Sequence, residues 1–291
     1  MFRQLLLSLA LATIPVLAPI ASAQSTSPPA AMFDAAGVKW HTDYGAACRD
    51  ALKNRRMLLI NFVAAVPVQT GFENFLAGQA QLQQQLQNFT LLRVRLDDAA
   101  GQQIIKHPAF AECGGLPGIV IIDFANVGQP YYQQAVTLLP FANIKYYRWN
   151  YAYFTAALTL PPGTLSQRTM IWAVRVHPER PQSTNGVLSP VLAQATEAHS
   201  QLQADMGVQG HHNFQQRFDQ LRGAVPANSV SEVCAESWPS QGLLDSCLDC
   251  VRSWRQSPGH WRGVSSPCRT YGYDIKRGRN GIWYGTGLFA N

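Results

Sequence analysis

Short apolar runs alternate with amphipathic stretches along most of the chain. Residues Tyr44 to Asn54 carry helical spacing, and Met57 to Val63, MLLINFV, is an apolar run of the length that suits a buried strand. Phe72 to Asn88 reads as one long glutamine-rich helix. Thr90 to Asp97 reads as a second strand, and Leu116 to Asp123, LPGIVIID, as a third after a helical connection. Phe141 to Leu160 reads as an aromatic-rich helix. Strands this short and this apolar need helices over both faces, so the pattern predicts a small α/β layer fold for the first half.

LPPGTLSQR then interrupts the alternation with two prolines and a glycine, and a domain boundary is placed there, at 161–169. Beyond it MIWAVRVHPERP reads as a strand followed by an extended segment, and LSPVLAQATEAHSQLQADMG as a helix closed by Gly207. The glycines in RGRNG and YGTG, near the end of the chain, read as hairpin turns. No repeat relates the two halves.

The first residues change this picture. MFRQ, the uncharged LLLSLALATIPVLAPI and the small residues ASA have the three parts of a secretory signal peptide, 1–23, expected to be cleaved between Ala23 and Gln24; the rival reading, an N-terminal membrane anchor, is disfavoured because the run is short and broken by Pro15 and Pro19. A polar, proline-containing leader follows at 24–37. No later stretch is long and apolar enough to span a bilayer, so the expectation is a secreted or periplasmic protein without a membrane span. A length of 291 residues and a hydrophobic fraction of 47% suffice for two cores. The net charge of +6 comes from scattered Lys and Arg rather than from basic runs, so no nucleic acid partner is expected.

Over 38–160 the order of helix, LLINFVAA, helix, LLRVRLD and GGLPGIVIID resembles the thioredoxin-like fold. In that family the first strand runs into a Cys-x-x-Cys pair at a helix start, where the dipole lowers a thiol's pKa. Pro67-Val68-Gln69-Thr70 stands at those positions, and neither proline nor threonine forms a thiolate, so no thioredoxin-type redox activity is expected. The resemblance implies a cis bond at Leu116-Pro117. Cys113, close to that proline, reads either as a surviving reactive thiol or, the favoured reading, as a buried small hydrophobe like Cys48. This half is expected to serve as a scaffold or partner-binding module.

From about Trp172 to Asn291, the helix LAQATEAHSQLQADMG, then GHHNFQQR, SEVCAESW, VRSWRQSPGHW and YGYDIKRGRNGIWYGTGLFA resemble, in that order, the CAP superfamily of cysteine-rich secretory proteins, antigen 5 and pathogenesis-related proteins. The resemblance implies an α-β-α sandwich over 170–291, with a cleft carrying histidines and glutamates. In several members of that family the two histidines hold a divalent metal. His211, Phe214 and Arg217 satisfy the family's His-x-x-Phe-x-x-Arg pattern, with His212 in reserve. The glutamate of the family's Gly-Glu-Asn motif falls on Glu232, with serine and valine as its neighbours. Glu236, four residues on, is placed to share a helix face with it. The second histidine falls on His260, and the second family glutamate is missing, because RQS follows Trp254. His199 faces either the same cleft or solvent.

His211 and His260 with one carboxylate permit Zn²⁺ without demanding it. Six cysteines in an exported chain point to disulfides, and Cys234, Cys247, Cys250 and Cys268 allow three pairings, of which Cys234 with Cys250 and Cys247 with Cys268 is favoured. Trp238, Trp254, Trp261 and Trp283 are assigned to core or cleft wall.

The resulting expectation is a secreted non-catalytic protein that binds a small molecule, lipid, glycan or protein. The alternatives are a metal-dependent hydrolase, with water held by His211 and His260 and Glu232 as base, and a redox sensor built on Cys247 and Cys250. Ser257, beside His260, carries no local triad signature.

Overall fold

The computed structural model describes residues 39–64, 68–142 and 144–291, without the side chains of 68–70 and 73. The expected signal peptide 1–23, the leader 24–37 and Pro67 lie outside the described residues. The described residues form a mixed α/β fold with two four-stranded sheets.

Asp43 accepts the Ala46 amide and starts α1 (Tyr44–Asn54). Then come β1 (Met57–Val63), α2 (Val68–Ala77), α3 (Ala80–Leu86), β2 (Phe89–Arg95), α4 (Ala99–Ile105), β3 (Gly118–Ile122), β4 (Ala135–Pro140) and α5 (Ala152–Leu158). The strand order is β2-β1-β3-β4, with β1 and β2 parallel and the other pairs antiparallel. Alternation along β1 serves two cores. Leu58, Ile60 and Phe62 join Ala47 and Ala51 of α1, while Leu59 joins Phe72, Leu82 and Phe154 on the opposite face.

Two expected helices differ. The glutamine-rich segment is two helices, broken at Gly78, where the Gln83 side-chain amide donates to the Leu76 and Ala77 carbonyls that α2 leaves open. The aromatic segment is helical only over Ala152–Leu158. Before it the chain is a loop whose Phe141, Trp149 and Tyr151 rings pack together and onto Phe72, and Asn150 accepts the Ala152 amide at 2.8 Å.

Pro117 is trans, against the cis bond expected. The turn ahead of β3 is made by Gly114 and Gly115, at φ 59° and 73°, so the reversal needs no unusual peptide bond.

The second sheet has the order β5-β7-β8-β6, built from β5 (Val187–Leu188), β6 (Val230–Glu236), β7 (Thr270–Arg277) and β8 (Trp283–Ala290). Its helices are α6 (Leu165–Arg175), α7 (Pro190–Met206), α8 (Phe214–Ala224), α9 (Leu243–Gln256) and α10 (Pro258–Ser265). Tyr271, Tyr273, Ile275, Val233 and Phe289 face α6 and α9, whereas Leu288 and Val230 face α7 and α8. The layering is therefore α-β-α. At Gly272 a Cβ would lie 2.4 Å from the Leu192 backbone, so only glycine lets α7 lie this close to β7.

α6 replaces both the expected linker and the expected strand. Thr164 and Gln167 form a reciprocal capping box, and Met170 to Val174 are each 2% exposed or less, so this stretch of the helix is buried on every side and lacks the apolar-polar periodicity that would distinguish it from a strand. RGRNG does form the β7–β8 turn. YGTG instead lies inside β8, where a Cβ at Gly287 would meet the Tyr273 ring at 2.6 Å.

All six cysteines are free thiols, which corrects the expected bridges. Cys234 lies on the α7/α8 face of β6, whereas Cys247 and Cys250 lie on α9 across the sheet, and the Cys268 thiol donates to the Ser183 carbonyl at 3.1 Å. Neither of the expected bridges is present, and Cys234 is on the opposite face of the sheet from Cys250.

Arg168, 1% exposed, joins the two sheet systems. Its guanidinium donates to the carbonyls of Val136, Leu160, Pro161 and Ala157 and to Thr137 Oγ1, linking β4, the end of α5 and α6. Replacing it with Leu strands four carbonyls and should cost about 4 kcal/mol in urea unfolding. A loss under about 1 kcal/mol would mean the contacts are incidental.

Asp274 of β7 is fully buried. It accepts from Ser166 Oγ at 2.5 Å and lies 3.3 Å from Lys276, which also pairs with Glu197 at 2.8 Å. Burial pushes its pKa up to about 6 against the pull of Lys276 and Ser166. With the folded pKa raised, its contribution to stability is full below about pH 4 and lost as pH rises through 6. Asp274→Asn should remove this pH dependence, of order 3 kcal/mol between pH 4 and 7, from chemical-denaturation curves. Unchanged curves would mean Asp274 titrates normally.

Candidate functional site

β6 is the edge strand of the second sheet, and Glu232 and Cys234 share the face that α7 and α8 cover. α7 supplies His199. Gly207, at φ 67°, ends that helix and turns the chain into the segment that carries His211, and α8 then supplies Arg217. α10, packed on β6 and α9, delivers His260 past the free edge of β6.

Arg217 binds both oxygens of Glu232, with Nη2 at 2.9 Å from Oε1 and Nη1 on Oε2. His211 Nδ1 lies 3.0 Å from Glu232 Oε1, and His211 Nε2 lies 3.5 Å from His260 Nε2. A carboxylate only accepts, so Nδ1 carries the His211 proton and the Nε2 lone pair is turned toward His260. Two nitrogens bound to one tetrahedral ion at 2.0–2.1 Å stand about 3.4 Å apart, close to the separation seen here.

Burial pushes the Glu232 carboxyl up, but the hydrogen bonds from Arg217 and His211, with the charges of His199 and Arg217, outweigh it and hold the pKa at about 2. Burial, then the neighbouring His211, lowers the pKa of His260, which favours the neutral, metal-binding form.

His199, 1% exposed, faces this cluster rather than solvent, 3.7 Å from Glu232 Oε1. Its Nε2 donates to the Gly210 carbonyl at 2.9 Å, and the Gly210 amide donates to Gln203 Oε1 at 3.1 Å. Gln203 and Ser200 donate in turn to Thr286 Oγ1 of β8. This buried relay sets the position of the loop one residue before His211.

His199, Glu232 and Cys234 offer ligand atoms within 4.8 Å of one another and could hold a metal ion. Three contacts oppose it. Arg217 occupies the carboxylate, Gly210 takes the His199 Nε2 proton, and burial pushes the Cys234 thiol well up, disfavouring thiolate.

The structure thus brings His211, Glu232 and His260 together. His212 turns away to the Val208 carbonyl, and Glu236 is exposed at the end of β6, on a strand rather than the expected helix. Two participants were not assigned from the sequence. Cys234 was given to a disulfide, and Arg217, visible in the His-x-x-Phe-x-x-Arg spacing, was given no role.

Arg217→Gln releases the clamp on Glu232. The depressed carboxylate stabilises above about pH 4.5, and that stability is lost as pH falls through about 2. The variant should be about 2–3 kcal/mol less stable at pH 7 and show less acid dependence between pH 4.5 and 2. Wild-type acid unfolding in the variant would show that Arg217 does not set the Glu232 pKa.

No protein-family model matches the chain, and no curated protein matches it. Among solved structures, the solution structure of a thioredoxin from Thermus thermophilus is similar at 20% identity, over 34% of this chain and 72% of that chain, with a TM-score of 0.27.

Proposed function

We propose that the chain is an exported, non-catalytic binding protein of CAP type, in which the cleft at the β6 edge holds a divalent cation with imidazole preference, Zn²⁺ being the natural candidate. The observation that carries this reading is the 3.5 Å separation of His211 Nε2 and His260 Nε2, with Glu232 holding the far side of the His211 ring. The sequence resemblance around His211, Glu232 and His260 supports it from a different direction.

The hydrolase alternative asks Glu232 to act as a general base. A carboxylate held at about 2 and already bound by Arg217 and His211 is a poor proton acceptor at neutral pH. The redox alternative asks for a reactive thiolate. Cys247 and Cys250 are fully buried, and burial pushes both thiols up.

Calorimetric titration of the purified protein with Zn²⁺ should give saturable one-to-one binding, lost in His211→Ala/His260→Ala with the circular dichroism spectrum unchanged. Binding retained in that double variant but lost in Cys234→Ala would move the ion to the inner group, and no saturable binding in the wild type would remove the cation from the proposal.

A further inference from the structure

A pocket of about 260 Å³ opens beside the histidine pair, between α10 and the β6 end of the sheet. At ~30 Å³ per water this is the space of roughly eight or nine waters, enough for a compact organic molecule. Two glycines one turn apart on α10 shape it. At Gly263 a Cβ would press on the Phe289 ring at 3.1 Å, so glycine lets the helix settle on the sheet. At Gly259 a Cβ would meet nothing within 4 Å, so its absence leaves open space.

Among the lining side chains, one charge is uncompensated. Glu232 borders the pocket but is bound by Arg217, whereas Arg262 makes no ion pair among the described residues. Ser231 and Ser266 add hydroxyls on the same walls, and Val233 with Phe289 forms an apolar floor, both almost fully buried. A guanidinium matches a planar carboxylate in two parallel hydrogen bonds, and the apolar lining at Val233 and Phe289 suits a short apolar body.

We infer that this pocket binds a small carboxylic acid with a short aromatic or apolar body, its carboxylate on Arg262 and its body over Phe289 and Val233. The inference rests on the binding-protein reading and gives its ligand a chemical class. It does not require a cation at His211 and His260, because Arg262 supplies the charge.

Phenylacetate is the probe, titrated into the full chain by calorimetry and by saturation-transfer NMR, with phenylacetamide and inorganic phosphate as comparisons. Saturable binding of phenylacetate is expected, at least tenfold tighter than either comparison. Arg262→Gln should weaken it about tenfold, and Gly259→Leu, whose side chain enters open space, should abolish it. Both variants should keep the wild-type Zn²⁺ isotherm, while His211→Ala/His260→Ala should lose Zn²⁺ and keep phenylacetate, so the two readings fail separately. Absence of phenylacetate binding, equal binding of phosphate, or binding indifferent to both pocket variants would each overturn the inference.

Discussion

The guanidinium of Arg168 lies in the interior with no carboxylate of the described residues in contact, held by four main-chain carbonyls and a threonine hydroxyl. Burial lowers its pKa to about 10, which still leaves it charged at neutral pH. A buried cation of this kind is tolerable only when every donor is satisfied, so β4, the end of α5 and the start of α6 must keep one relative arrangement. Secondary contacts run across the same seam. Glu112 accepts the Leu243 amide at the start of α9, and Lys145 and Tyr146 both bind Asp249. The second sheet is therefore assembled against the first, and its histidine cluster rests on that frame.

Within the second sheet, the polar groups between α7 and β8 do for the site what Arg168 does for the fold. Ser200, Thr286 and Gln203 are buried and bonded in series, Gln203 accepts the Gly210 amide, and the buried His199 takes the Gly210 carbonyl, so both main-chain polar groups of Gly210 are held. A loop held at its backbone in this way presents the next side chain, His211, with little freedom. Glu232 completes the restraint by binding the ring from behind while Arg217 holds Glu232.

Much of the first half was legible because local rules agreed with the final packing. Tyr44 to Asn54 and Met57 to Val63 form as read, the first with a capping aspartate and the second as an apolar run covered on both sides. α6 was misread for a reason inherent in burial, since Met170 to Val174 touch protein in every direction and leave no polar stripe to count. Tyr151 and Trp149 suited a helix by composition but found ring partners that hold them in a loop. At the site, residue types could be aligned by spacing, yet Cys234 shows where that stops. Strand parity groups it with Glu232, but which helical layer covers that side depends on the tertiary fold, and that layer excludes the cysteines of α9.

His211 belongs to the helical layer on one side of the second sheet and His260 to the layer on the other, and the two meet only past the edge of β6. An ion shared between them, as proposed, would be a clasp across the sandwich, formed only when both layers have docked. Folding and cation uptake would then be one linked equilibrium, and the concentration of free ion around the protein would set part of how much of it is folded.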